Sequence, residues 1–473
     1  MKTFYWYDYE TFGLSPKIHR IAQFAGIRTD EDLNILNEDM FYCKPTHDCL
    51  PAPEACAITG ITPQDCEEKG LIEHEFITKI NQEFSNPNTC IVGYNSIAFD
   101  DEFTRYTLFR NFIEPYAWHW KNSNTRWDIL KVVRFCYAHA KNSSLQWVYD
   151  DNKKPIFKLD RLAPANGIEH SDAHDAMADV IATIGIAKII KDTQPKLFKY
   201  ALSLSDKNEV KEKIKLFSPM LYTSGIYPAK FSCTKLTTVL AEHPDYSNSA
   251  IVFNLEQDPS LLVELDTDEL KKRLFTKGKK RLQTQVLAFN KSPMFTYEER
   301  RISSPKLLDQ MQIDKVKCMQ HLDYILENKE IIKKKIESIY KKDSDREPTI
   351  DADQSLYDNF ISNKDRKICD EIQHLTTLDQ MSSFKPDFED RRLSKLFLNF
   401  KARNYPETLT EDENKKWNEI VESRLKGLNG YLSIESFKNS LIKLIEESLE
   451  LSEEEQKKTN ILCQELQDYA ELL

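Results

Sequence analysis

No stretch of the chain stays apolar for the ~18 residues that a membrane-spanning helix needs, so no span is expected. The opening residues, MKTFYWYDYETFG, put acids where the apolar segment of a signal peptide would lie, so none is expected there either. There is no C-x-x-C pair, and ten cysteines lie scattered at positions such as 43, 90, 233, 318 and 463. That spacing argues against a disulfide framework and for the reduced, mostly buried thiols of a cytoplasmic protein. No internal repeat and no long low-complexity tract is present. Positive charge is not in excess: 65 Lys and Arg stand against 76 Asp and Glu, a formal net charge of −11. This disfavours a nonspecific coat on nucleic acid. It leaves room for an enzyme that gathers a few cations in one groove.

What is present is a soluble, globular composition, 40% hydrophobic and 30% charged, over 473 residues. That length exceeds one ordinary core and predicts two to four domains. TFYWYDYET, IAQFAGIRT and DMFYCKP read as three successive strands in an antiparallel start. EHEFITKINQEFS has helical spacing through Phe76, Ile80 and Phe84, and NTCIVGYN reads as a short strand ending in a turn. DEFTRYTLFRNF is helical, with Phe103, Leu108, Phe109 and Phe112 as its buried side, and HDAMADVIATIGIAKIIKD is a long helix closed by Pro195. The first 190 or so residues therefore predict an α/β unit, a mixed sheet with packed helices. From about 218 to 300, short β-like runs alternate with Pro, Gly, Ser and Asn, the texture of a small barrel or sheet domain. KCMQHLDYILENKEIIKKKIESIYKK closes it with helix, its lysines taken as a wet face. DSDREPTIDADQS (343–355) reads as a polar linker, and the rest reads as helix to the end. EESLELSEEEQKK near the end keeps helical leucine spacing and reads as a solvated helix face.

The acids carry the chemistry. In FYWYDYETFG, Asp8 and Glu10 lie two apart on an aromatic strand and so on one face, where like charges repel and desolvation is costly. GYNSIAFDDEF puts Asp100 after a turn at a helix start, and HSDAHDAMADV puts His174 five residues before Asp179. Each has a plain alternative: surface strand acid, helix cap, or satisfied core histidine. One explanation covers all five. Asp8, Glu10, Asp100 and Asp179 could hold two Mg²⁺ ions about 4 Å apart for phosphodiester hydrolysis, with His174 taking the water's proton.

At these residues the chain resembles the DEDDh exonucleases of the ribonuclease H-like fold: DYE, NSIAFD and HDAMAD stand for D-x-E, aromatic–Asp and H-x-x-x-x-D, in that order. Asp101 aligns outside the motif and is taken as a structural acid or one that supports the metal-holding acids from behind. Further segments, among them AQFAGIRTD, ITGITPQ, NFIEPYAW, ANGIEHSDAHDAMADV, LYDNF and KARNYPETL, are similar to the bacterial exodeoxyribonuclease I family, and the likeness runs from residue 8 to beyond 400. The resemblance implies a DEDDh exonuclease domain (1–192), a Src-homology-3-like β-barrel domain (195–346) and an all-α C-terminal domain (351–473). It implies Mg²⁺-dependent, or Mn²⁺-dependent, 3′→5′ hydrolysis of single-stranded DNA to 5′-mononucleotides, in repair and recombination in the cytoplasm. It also implies a monomer that binds the acidic C-terminal tail of single-stranded-DNA-binding protein. An exoribonuclease or proofreading-type enzyme, or a non-catalytic single-stranded-DNA-binding scaffold, stays open as an alternative.

A single strand needs cations for its phosphates and aromatic rings for its bases. Residues 105–134 interleave the two, with Arg105, Arg110, Arg126 and Arg134 among Tyr116, Trp118, Trp120 and Trp127. The plainer reading is a core helix with arginines on its surface, and it is preferred for Phe109 and Trp127. For Arg105, Tyr116, Trp120 and Arg134 the resemblance favours DNA contact. It extends the same role to Lys158, where relatives carry arginine, and to Glu10, Thr11 and Phe12 at the terminal nucleotide. KKRLFTKGKKRLQT (271–284) is the densest basic cluster and could continue the DNA path.

Overall fold

The computed structural model describes residues 2–169, 175–276, 278, 281–341 and 349–473. Strands β1 (Thr3–Thr11), β2 (Ile21–Thr29) and β3 (Ile35–Tyr42) form an antiparallel meander. β4 (Thr89–Gly93) and β5 (Thr125–Asp128) join the other side of β1 in parallel. The order β3-β2-β1-β4-β5 makes β1 the central strand of the expected mixed sheet. A central strand is buried on both faces and tolerates apolar residues at every position, which is why β1 is so aromatic. Phe4 and Trp6 pack on one side with Val180 and Ala187 of the helix Ala176–Thr193. Tyr5, Tyr7 and Tyr9 pack on the other with Phe76, Ile80 and Phe84 of the helix Glu73–Phe84.

The helix Asp100–Arg110 departs from the one-sided expectation. Phe103 and Leu108 face the sheet, whereas Tyr106 and Phe109, with Phe112 just beyond the helix, pack against Leu396, Phe397 and Phe400 of the C-terminal region. Both faces are buried because a second layer covers the first, so the polar residues between them are buried as well.

The second region holds five antiparallel strands in the order Thr284–Ala288, Ser249–Asn254, Thr234–Glu242, Met220–Thr223 and Met294–Thr296. Helices Lys315–Glu327 and Lys329–Tyr340 pack on it through Leu322, Ile325, Ile332 and Ile336. One of the supposedly wet lysines is not wet: Lys335 Nζ donates to the carbonyls of Val263 and Leu265, satisfying the end of the helix Ser260–Glu264. Beyond residue 355 every regular element among the described residues is helical. The final acidic stretch is not one helix face. The helix Ile434–Ser448 stops, and Ser452 with Glu455 forms a capping box that starts Glu453–Glu471. This hairpin packs Phe437, Leu441, Cys463 and Leu466 against Phe12 and Ala22.

The linker expectation also fails in part. Residues 342–348 lie outside the described residues, but Asp351 and Asp353 are buried among arginines. Asp48 and Asp353, both 0% exposed, meet Arg20 of the first region and Arg403 and Arg424 of the last, and Arg424 also holds Asp351. All ten cysteines are free, nine of them buried.

Candidate metal centre and active site

β1 alternates, so Asp8 and Glu10 continue the face that carries Phe4 and Trp6, under the helix Ala176–Thr193. The register with β2 shifts by one residue between Glu10 and Thr11, just past the second acid. Asp175 caps the facing helix, accepting from Met177 N, and Asp179 sits in its first turn. Asp8, Glu10 and Asp179 each present a carboxylate oxygen within 4.8 Å of the others. Asp100 begins its helix as the first helical residue rather than as the cap, since Phe99 occupies the cap position without a side-chain bond. Its carboxylate is 3% exposed, and its Oδ1 has no hydrogen-bond partner among the described residues.

Burial and mutual repulsion set the electrostatics of Asp8, Glu10 and Asp100. Burial, then Asp100, Asp179 and Glu10, raise the Asp8 carboxyl well above its ordinary range. Burial, then Asp179, Asp100 and Asp175, push Glu10 up to about 8. Burial and the adjacent Asp101 raise Asp100. Closely spaced hard oxygen donors and an orphaned buried carboxylate oxygen fit a divalent cation of the Mg²⁺ class. His174 lies outside the described residues.

The remaining expected residues divide. Trp120 is 51% exposed, with Lys207 Nζ 5.9 Å from its ring centre. Tyr116 is half-buried, 5.5 Å from the Arg105 guanidinium. Lys158 is exposed at the start of the helix Leu159–Ala165. Arg134 lines a cleft of about 150 Å³ with Lys131, Lys291, Tyr222 and the turn at Gly225. A Cβ on Gly225 would lie 2.6 Å from the Arg134 Nη1, so a larger residue there would push the guanidinium aside. Arg105, by contrast, is 5% exposed, bonded to Glu102 at 2.6 Å, to Tyr357 and to His119. Arg110 pairs with Glu73 at 2.7 Å and Arg126 pairs with Asp101, so the surface placement of these three arginines is corrected. Phe109 and Trp127 are core, as expected. Phe12 is buried, and the Thr11 hydroxyl donates to Gly13 O at 2.9 Å. Within the basic cluster, residues 277, 279 and 280 lie outside the described residues. Tyr7 and Arg126 are what the sequence reading missed as a working pair. Only proximity in space joins them, through Asp101.

Comparison with known proteins settles the family. The exonuclease family model matches residues 5–187, that of the exonuclease I SH3-like domain 205–342, and that of the exonuclease I C-terminal domain 350–473. Exodeoxyribonuclease I of Haemophilus influenzae is 40% identical over 462 residues, 95% of each chain. The chain belongs to the exodeoxyribonuclease I family. Escherichia coli exonuclease I in complex with a dA16 oligonucleotide superposes with a TM-score of 0.92 at 36% identity, covering 100% of this chain and 99% of that one. A structure of SSB/exonuclease I in complex with an inhibitor gives 0.88 at 36% identity, with the same coverage. Family membership makes this a DNA exonuclease, with divalent-metal chemistry the matching use of its carboxylates. Among the described residues, no helix is long and apolar enough to cross a membrane.

Proposed function

We propose that the protein removes nucleotides from the 3′ end of single-stranded DNA, releasing 5′-mononucleotides, with Asp8, Glu10, Asp100 and Asp179 holding two Mg²⁺ ions that Mn²⁺ can replace. The observation that carries this reading is the convergence of Asp8, Glu10 and Asp179 within 4.8 Å beside Asp100, whose Oδ1 has no partner among the described residues. When bound, the metal supplies an activated water and stabilises the leaving oxygen. The chain's own residues do the rest. His174 accepts the water's proton, and its motif position supports that role. Glu10 and the backbone past it, at Thr11 and Phe12, border the terminal nucleotide. Trp120 and Tyr116 offer ring faces to bases, and Arg134 and Lys158 offer charge to phosphates, with the Arg105 guanidinium 5.5 Å from the Tyr116 ring adding charge at the same place.

The domain division at 1–192, 195–346 and 351–473 belongs to the same reading. It is supported by the helix ending at Thr193 and by the separate strand and helix regions. So do a monomeric state, a cytoplasmic site in DNA repair and recombination, and capture of the acidic C-terminal tail of single-stranded-DNA-binding protein.

The test is a 5′-labelled single-stranded DNA oligomer with Mg²⁺ or chelator, beside its duplex and its RNA counterpart. A ladder shortening from the 3′ end, only with metal and only on single-stranded DNA, is expected, and Asp8→Ala should abolish it while sparing the fold. RNA degraded equally well would move the reading to an exoribonuclease, since the 2′-hydroxyl is what such a site distinguishes. Binding without cleavage would leave a scaffold.

A further inference from the structure

Asp100 and Asp101 are consecutive, yet they are treated in opposite ways. Asp101, 1% exposed, accepts the Tyr7 hydroxyl on Oδ1 at 2.7 Å and the Arg126 Nη1 on Oδ2. Tyr7 is the residue before Asp8 on β1, and Arg126 lies on β5. The Nε of Arg126 donates at 2.9 Å to the carbonyl of Asn290, in the turn Phe289–Lys291 of the second region. The carbonyl of Lys291 in the same turn accepts Lys131 Nζ, and Lys131 and Lys291 both line the Arg134 cleft.

We propose that Tyr7, Asp101 and Arg126 are positioning residues for the metal-holding carboxylates. They lock the strand of Asp8 against the helix that begins at Asp100 and tie both to the second region's turn. The inference rests on the reading of Asp8, Glu10, Asp100 and Asp179 as metal ligands. Tyr7 points away from the face that bears Asp8, so its hydroxyl does not reach the ions. It fixes the main chain that carries Asp8. Asp101 does the same for Asp100 from one helical step away. Arg126 serves two acceptors in two directions, Asp101 and Asn290, which the planar guanidinium can do and an ammonium on a flexible stem cannot. Groups that orient metal ligands in this way commonly change metal affinity by ten- to a hundredfold when removed.

The decisive variant is Tyr7→Phe, which removes one hydroxyl and leaves a packed ring. Arg126→Lys keeps the charge beside Asp101 and loses the fork. Mn²⁺ is titrated calorimetrically into each full-length protein without DNA, and kcat and KM are then measured on a single-stranded oligonucleotide as Mg²⁺ is varied. Tyr7→Phe should weaken Mn²⁺ binding and raise the half-maximal Mg²⁺ concentration by about tenfold, with KM for the oligonucleotide within about twofold of wild type. Arg126→Lys should shift both metal readouts in the same direction. Tyr200→Phe, which removes a half-buried hydroxyl bonded to Phe295 O at 2.8 Å, should shift neither. If Tyr7→Phe and Arg126→Lys both bind Mn²⁺ as wild type does, whatever their thermal stability, the positioning role is overturned. If wild-type protein binds no Mn²⁺, it is the ligand assignment that fails, and the inference falls with it.

Discussion

Asp48→Asn tests what joins the first region to the last. Asp48 Oδ2 lies 3.1 Å from Arg20, 2.6 Å from Arg403 and closer still to Arg424. Asp48, Asp351 and Asp353 balance these three guanidiniums in a site where Asp48 and Asp353 are 0% exposed. An asparagine of the same shape would leave one buried positive charge uncompensated and turn an amide toward other donors. Removing one partner from a buried pair costs about 3–5 kcal/mol, whatever the net worth of the pair against an apolar replacement. Because Arg20 and Asp48 belong to the first region and Arg403 and Arg424 to the last, the loss should appear at their joint. Trp417 reports on it, its ring 5.5 Å from the Arg403 guanidinium and 5.9 Å from that of Arg424. In urea, Trp417 fluorescence should change at lower denaturant in Asp48→Asn, ahead of the loss of sheet signal. The pH dependence has a definite sign. Burial raises Asp48, but Arg20, Arg403 and Arg424 together outweigh it and hold the carboxyl far below the ordinary Asp range. A depressed acid contributes its stability fully above the unfolded value near 3.9 and loses it as pH falls through the folded one. The gap between wild type and variant should therefore be constant from pH 8 to about 4 and close below that. A loss under about 1 kcal/mol, or a gap that closes between pH 5 and 8, would refute the reasoning.

Three further outcomes are expected. Metal-free protein should lose stability as pH rises from about 5 to 8, because Glu10 stays protonated up to about 8 when folded but ionises near 4.5 when unfolded, at about 1.4 kcal/mol per pH unit in that window; melting in chelator should show Glu10→Gln flatter with pH, and equal slopes would contradict this. Trp120→Ala should raise KM for long single-stranded oligomers by about five- to 150-fold at little cost in folding, since an exposed stacking ring is worth about 1–3 kcal/mol per base; an unchanged KM would remove Trp120 from the DNA path. Native protein at pH 8 should react slowly with a thiol-specific reagent, because nine cysteines are buried and burial pushes the remaining one, Cys49, up to about 11; several thiols labelled at once would mean the core opens readily.

The regions of the fold were legible because their patterns are local. Runs of strand-favouring aromatic and branched residues mark β1 and β2, and helical spacing marks Glu73–Phe84 and the C-terminal run. Errors arose where a second layer covers an element from outside. The helix Asp100–Arg110 looks amphipathic until Phe397 and Phe400 bury its other side, and Arg105 and Arg110 are then interior. IDADQ looks like a linker because its partners, Arg20, Arg403 and Arg424, are tens to hundreds of residues away. Periodicity carries no trace of a contact between residues so far apart. The acidic motifs were legible as a set because a divalent ion explains several otherwise costly carboxylates at once, but the sequence does not say which buried acids lack a guanidinium.

That distinction separates a candidate site from scaffolding. Glu73, Asp101, Asp48 and Asp353 are as deeply buried as Asp100, yet each meets an arginine. The influences that raise Asp8 and Glu10 are burial and other acids. A protein with a formal net charge of −11 thus places guanidiniums on its structural acids and leaves its β1 acids crowded against one another. Removing charge from the first kind should destabilise the fold, and removing it from the second should relieve strain in the metal-free state. Asp48→Asn and Glu10→Gln make this opposition measurable, because the same loss of one negative charge is expected to move stability at pH 8 in opposite directions.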